Sequence, residues 1–434
     1  MAIFVRVVFS GRFDKAAFAV ALESAVRRHP LLHARITGDT ERNLAWVLSP
    51  NLSPWVDYAD EGVVMRFPGG FRIDLREENG LRVWVRTGDD RGEIRFQFHH
   101  ACCDGLATSQ FIQDVLCAYD HMVRGSAGSG PAFRPLDPHG LRQRHRLGAC
   151  WQRRLFHGLV AVVTTIIGPP TFFLVRPTPL HAPEKAKGID IEINEQVVPE
   201  ALPWCFAKAQ FDALLAGAKR NGVTLNDLMI RDFFLAMQTW NDNHGGERKQ
   251  VLRLMIPFDL RGPEHDQLSA ANIVGMINLD RRFGGAFRWS APRLLGSIRT
   301  ETRFLKAFRI PAGYSQAITV IGKLAGGLEK LFQTDRCLTT AVLSNFGRIL
   351  EDTPLNRRDG KLLAGDLIVE AVEPTSPVRT GSGISCALCT YGDQLSLMMN
   401  YDRRSYSPAV AQQLLTHIVA RIEQTAAELS GSKS

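Results

Sequence analysis

The stretch that most narrows the folds open to this chain is IRFQFHHACCDGLATSQF, residues 94–111. Apolar and polar residues alternate through Phe98, the period of a strand whose two faces meet different surroundings. The alternation stops at two histidines. Asp104-Gly105 then opens a helix-periodic segment, and Asp is a favoured N-cap. A strand therefore runs through a short turn directly into a helix.

Strand geometry also separates the two histidines. Ile94, Phe96, Phe98 and His100 share one face, and Arg95, Gln97 and His99 share the other. The pair cannot grip one metal ion while the strand stays regular, so no metal site is expected here. His100 extends the apolar face. Partial desolvation there lowers an imidazole pKa and keeps it neutral, the state a general base must have. Asp104 suits the helix cap or an ion pair better than charge relay. Gly105 is read as supplying backbone freedom at the helix start. A histidine merely stranded at a strand end is the competing reading.

The rest of the chain mixes strands and helices without strict alternation. IFVRVVF (3–9) reads as a strand, KAAFAVALESAVRRH as a helix with Phe18, Leu22 and Val26 on its apolar face, and Asn79-Gly80 as a hairpin turn. Further on, Thr224 and Asp227 form a capping box ahead of a helix. LRLMIPFDLRG, ANIVGMINLDRRF and LTTAVLSNFGRI read as strands, and GISCALCTYGDQLSLMMNYD as a hairpin. SAPRLLGSIRTETRFLKAF, GYSQAITVIGKLAGGLEKLF and the closing SPAVAQQLLTHIVARIEQTAAEL read as helices. At 434 residues the chain exceeds one ordinary core. Two α+β halves are expected, residues 1–180 and 181–434, joined through the Pro-rich stretch 176–200.

The net charge of +8 favours anionic partners such as coenzyme phosphates, a phosphopantetheine carrier or an acidic membrane surface. No zinc-finger spacing, basic-aromatic motif or long basic run points to nucleic acid. Eight cysteines in a chain this long are not a disulfide framework. Cys386 and Cys389 lie three apart on a strand, so their sulfurs diverge. MAIFVRVVFSGRFD lacks the features of a signal peptide, which implies a cytoplasmic protein. One segment qualifies that expectation. A cluster of arginines from Arg142 to Arg154 precedes an apolar run, Leu155–Val175, that Pro169 and Pro170 interrupt. The run is short for a membrane span. An interfacial helix giving peripheral membrane contact through 142–175 and a buried linker helix both remain open.

The spacing His-His-x-x-x-Asp-Gly resembles the HHxxxDG signature of the CoA-dependent acyltransferase superfamily, which spans chloramphenicol acetyltransferase, condensation domains, alcohol acetyltransferases and wax ester synthase/diacylglycerol acyltransferases. Other segments match in order. SAVRRHPLLHARI resembles the "RHPxLR" segment, and LRLMIPFDLRG with ANIVGMINLD resembles the strand carrying a "VPxxLR" arginine and the following "N-x-x-G-N/G" strand. LSNFGRI resembles the "SNxG" element, and LSLMMNYDRRSYSPAVAQQLL the closing hairpin and helix. The resemblance covers nearly the whole chain. Members usually carry a further segment ahead of the strand that IFVRVVF matches.

The resemblance implies two chloramphenicol-acetyltransferase-like halves with a central tunnel. His100 would be the base, with Asp104 as a brace paired to Arg261. His99 and Gly105 would support the motif, and Ser344 and Asn345 would help polarise the thioester carbonyl. The implied reaction moves an acyl group from acyl-CoA or a phosphopantetheine thioester, the co-substrate, to a hydroxyl acceptor, a lipid-like one by the resemblance to the wax ester branch. No bound cofactor is needed, and an acyl carrier protein is an expected partner. The alternative is a stand-alone condensation enzyme using carrier-bound acyl groups and an amine or hydroxyl acceptor. Cys102 or Cys103 as nucleophile is a rival mechanism. His99 with Asp104 also gives the His-x4-Asp spacing of glycerol-phosphate acyltransferases, but the Glu-Gly-Thr-Arg-type segment those enzymes carry is missing. A non-catalytic binding protein is the remaining reading.

Overall fold

The computed structural model describes residues 1–39, 43–49, 53–125, 132–144, 174–182, 196–285, 287–308, 310–312, 337–378 and 382–431. The expected helix GYSQAITVIGKLAGGLEKLF and the run Leu155–Phe173 lie outside these residues. No described helix is long and apolar enough to cross a membrane.

The N-terminal part contributes β1 (Ala2–Ser10), α1 (Lys15–Arg28), β2 (Ala34–Thr37), β3 (Ala45–Leu48), β4 (Trp55–Asp60), β5 (Leu81–Thr87), β6 (Arg91–His99) and α2 (Gly105–Arg124). Next come β7 (Leu202–Cys205), α3 (Lys208–Arg220), α4 (Leu225–Asn243), β8 (Gln250–Asp259), β9 (Val274–Phe283) and α5 (Ala291–Ala307). The chain continues through β10 (Ala341–Arg348), β11 (Arg357–Arg358), β12 (Lys361–Ala364) and β13 (Leu367–Thr375). It ends with the hairpin β14 (Ile384–Tyr391) and β15 (Gln394–Tyr401) and the helix α6 (Pro408–Gly431).

These elements form two main sheets, a mixed α+β architecture. The first has the order β11-β12-β13-β1-β6-β5-β4, and the second β7-β15-β14-β10-β8-β9. The sheets do not follow the expected cut at 180/181. β13 pairs antiparallel with β1, so residues 357–375 of the later part complete the first sheet. The reason is the edge of β1, a strand apolar on both faces. Phe4 packs with Phe67 and Trp84 on one face, and Ile3, Val5 and Val7 enter the main core on the other. Without β13 it would be an exposed apolar edge.

Helices cover one face of each sheet. α1 buries Phe18, Ala21, Leu22, Ala25 and Val26, the stripe that its 3.6-residue period dictates. Each large side chain of that stripe is worth about 1.5–3 kcal/mol on burial. α4 begins with the Thr224–Asp227 capping box. α3, α4 and α6 share the second core. β14 is buried along its full length. Its Cys386 and Leu388 face the second core, while Ala387, Cys389 and Tyr391 face the first. The two sulfurs therefore diverge, as period-two geometry requires.

One turn differs from the sequence expectation. Asn79-Gly80 is not a hairpin turn. It leads into β5, and the β5–β6 turn lies at residues 88–90. What Gly80 provides is space, because a Cβ there would lie 2.3 Å from the Cys102 sulfur.

Candidate active site

The alternation of β6 places Ile94, Phe96 and Phe98 in the core against Phe111 of α2. The strand stops at His99, and the turn 100–103 swings the chain into α2. Asp104 caps that helix, accepting from Ala107 N–H at 3.0 Å. The same carboxylate receives a two-pronged contact from Arg261. Nη1 lies 2.9 Å from Oδ2, and Nη2 lies 3.0 Å from Oδ1. Ile273 N–H adds a third donor at 2.7 Å. Asp104 is 3% exposed, so these donors replace its lost water. Arg261 follows β8 and Ile273 precedes β9. The ion pair thus ties the first sheet's turn to the second sheet.

Residues 271–273 hold the other end of the turn. Asn272 Nδ2 donates to the His100 carbonyl at 2.8 Å and lies 3.2 Å from His100 Nδ1. The Cys103 carbonyl lies 3.1 Å from that same Nδ1. These contacts assign opposite tautomers. The carbonyl decides, because it can only accept, and Asn272 keeps its backbone bond in either case. Nδ1 therefore carries the proton and donates to Cys103. Nε2, with its lone pair, has no protein partner among the described residues. Burial holds the His100 pKa below the ordinary value, so the ring is neutral near pH 7.

His100 lines a cavity of about 250 Å³. Asp104, Gly105, Arg261, Ser344 and Asn345 line it as well. The structure thus brings together His100 and five other residues singled out in the sequence. His99 is the exception, for it does not line the cavity. Its Nδ1 accepts from Ala101 N–H at 3.2 Å, and burial lowers its pKa to about 4.

Gly105 matters for a reason other than backbone freedom. Its φ is not in the left-handed region, but a Cβ would sit 2.5 Å from Phe346 Cε1. The SNFG segment of β10 crosses against the start of α2, and only a residue without a side chain admits it. Gly347, at φ +66, turns the chain there. Asn345 Oδ1 accepts from Gly347 N–H at 2.8 Å.

Cys102 and Cys103 are fully buried. Burial pushes the Cys102 thiol up to about 12 and Cys103 well above its ordinary value. Neither offers a thiolate near neutral pH. Among the described residues, no group of three or more His, Cys, Asp or Glu side chains could hold a metal.

Several site residues were not singled out in the sequence. Asn272 opens the N-x-x-G pattern of the segment ANIVGMINLD, but no role was assigned to it. His29, at the end of α1, accepts from Ala270 N–H at 2.8 Å and lies 3.2 Å from Asp114, so it braces the segment that carries Asn272. Met255, Met276 and Val342 read as ordinary strand residues, with no signal to mark them as cavity lining. A second cavity of about 520 Å³ adjoins the first and shares Pro257, Asp259, Arg261, Asn345 and Gly347 with it.

No family model and no curated sequence matches the chain. Solved structures do share its fold. The first condensation domain of the calcium-dependent antibiotic synthetase, in complex with a substrate analogue, aligns with a TM-score of 0.68 at 14% identity, over 98% of this chain and 91% of that one. The condensation domain of the monacolin K polyketide synthase aligns at 0.64 and 12% identity, over 98% and 92%. Polyketide synthase associated protein 5 from Mycobacterium tuberculosis aligns at 0.63 and 14% identity, over 98% and 94%. The chain therefore has the two-part condensation-domain fold.

Proposed function

We propose that the protein is an acyltransferase that moves an acyl group from a thioester, CoA or a phosphopantetheinyl carrier protein, to a hydroxyl acceptor. One observation carries this reading. A neutral histidine, anchored through Nδ1 to Cys103, presents a free Nε2 at a cavity between the two sheets. An alcohol is a poor nucleophile at neutral pH and needs a base as it attacks. His100 Nε2 takes the hydroxyl proton while the oxygen adds to the thioester carbonyl. The tetrahedral intermediate collapses, the C–S bond breaks, and the thiolate recovers the proton from the imidazolium. Ser344 and Asn345 are the side chains available to donate to the oxyanion. Asp104 and Arg261 hold the turn and do not transfer protons.

The two adjoining cavities would form one passage, with donor and acceptor meeting at His100. Net charge and an apolar cavity suit a phosphate-bearing thioester and a lipid-like substrate. Peripheral membrane contact through 142–175 belongs to the same proposal. The condensation-domain fold favours a second reading, carrier-bound acyl groups joined to an amine or hydroxyl.

Acyl-CoA and acyl-carrier donors assayed by free-thiol release against a panel of alcohols and amines test both. His100→Ala should lower transfer by about 10²–10⁴ while leaving the unfolding transition in place. Transfer near the wild-type rate would remove His100 as the base.

A further inference from the structure

We infer that the cavity beside His100 takes an uncharged hydrocarbon chain, whose length is gauged by Met255 and Met276. The inference rests on the acyl-transfer reading only for the identity of the chain's owner. The floor of the cavity is one face of the second sheet. Met255 and Pro257 come from β8, Met276 from β9 and Val342 from β10. Met255 lies opposite Val342, and Pro257 opposite Met276. Period two aims these side chains into the cavity and sends Leu254 and Ile256 into the core behind.

Charge decides the class of ligand. Among the described residues, the charged side chains lining the cavity are Asp104, Asp259 and Arg261, and Met1, whose terminal amino group acts on His100, lines it too. Arg261 Nη1 lies 2.9 Å from both carboxylates, and Nη2 spends itself on Asp104. His100 is neutral. A ligand ammonium would leave water, meet the Met1 amino group and find Asp104 and Asp259 already engaged by Arg261, and a ligand carboxylate would find Arg261 already held by both. A hydrocarbon chain meets no such cost.

The floor also ends. From Asp259 to Met255 the strand advances about 14 Å at about 3.4 Å per residue. The next residue on that face is Arg253, which makes a two-pronged pair with Asp280 at 2.7 Å. A chain running along the floor stops against Met255. Methionine side chains are unbranched and adaptable, which lets them grade chain lengths instead of enforcing one.

Calorimetric titration with n-alkanols from butanol to tetradecanol, alongside the matching alkylammonium and alkanoate series, tests this. Affinity should rise about fourfold per methylene up to a limit, and the alkanol should bind best at each length. Met255→Ala and Met276→Ala should move that limit to longer chains. A flat length dependence, tighter binding of either charged series, or an unmoved limit in a folded variant would overturn the inference. The wild-type series decides the matter even where a variant does not fold. Alkanol binding and thioester cleavage are read separately on the wild-type protein. Binding without any thioester cleavage would therefore reject the acyl-transfer reading and keep the cavity assignment, and cleavage without the length dependence would do the reverse. In active protein, varying acyl length and alcohol length separately shows which substrate owns the chain.

Discussion

The Asp104 carboxylate makes four contacts with donors on two parts of the chain, and its loss has a readable cost. Asp104→Ala removes the α2 cap and leaves Arg261 largely buried with only Asp259 as its carboxylate partner. Removing one member of a buried pair costs about 3–5 kcal/mol, so the denaturant midpoint should fall sharply. A variant that unfolds like wild type yet loses transfer would show that Asp104 takes part in the chemistry. His100 supplies a second prediction. Its folded pKa lies below 6.5, so the base is neutral across the physiological range. The acidic limb of the rate profile should therefore fall below the ordinary histidine value. A limb at or above that value would mean that the imidazole is not desolvated when substrate is absent. Asp104 and His100 were both legible as residue types at a spacing. Asn272 was legible only as the first residue of an N-x-x-G pattern, because an asparagine in a strand-like segment does not reveal which backbone it will face.

Among the elements, the contact between the start of α2 and the SNFG crossing of β10 is the most constraining. Gly105→Ala places a methyl group 2.5 Å from the edge of the Phe346 ring. It should destabilise the protein and disturb Ser344 and Asn345 together. Phe346→Ala in the same chain should restore part of the loss. A double-mutant cycle should show a coupling of about 0.5–3 kcal/mol, and strict additivity would deny the contact. β6, α1 and the β14–β15 hairpin were readable from periodicity, since one buried face imposes the period. Asn79-Gly80 misled because the same dipeptide serves a tight approach as readily as a tight turn, and sequence does not reveal the Cys102 sulfur that occupies the space.

For the whole molecule, the shared first sheet predicts that residues 1–180 do not fold alone. The fragment lacks β11–β13 and leaves the apolar edge of β1 open. It should show no cooperative unfolding transition, and a sharp transition would deny that the later strands are needed. Acid should loosen the full chain by a separate route. His29, His99 and His100 all have folded pKa values below 6.5, so the unfolded chain binds more protons on the acid side. Stability should be fully present above pH 6.5 and should decline as pH falls toward about 4, where His99 titrates in the fold. A midpoint flat across that window would contradict the burial of these rings.

Local rules settled the strand-turn-helix at 94–111, the helix cap at Asp104, the opposed faces of Cys386 and Cys389, and the different surroundings of His99 and His100. Each depends on covalent spacing and on the periods of helix and strand, which the residues carry with them. Packing alone settled that β13 completes the first sheet, that Ile273 meets Asp104 across the sheets, that Phe346 presses on Gly105, and that Met255 and Met276 line the cavity. These contacts join residues more than a hundred positions apart or depend on which face of a strand is turned toward the other sheet. No local pattern encodes such a choice.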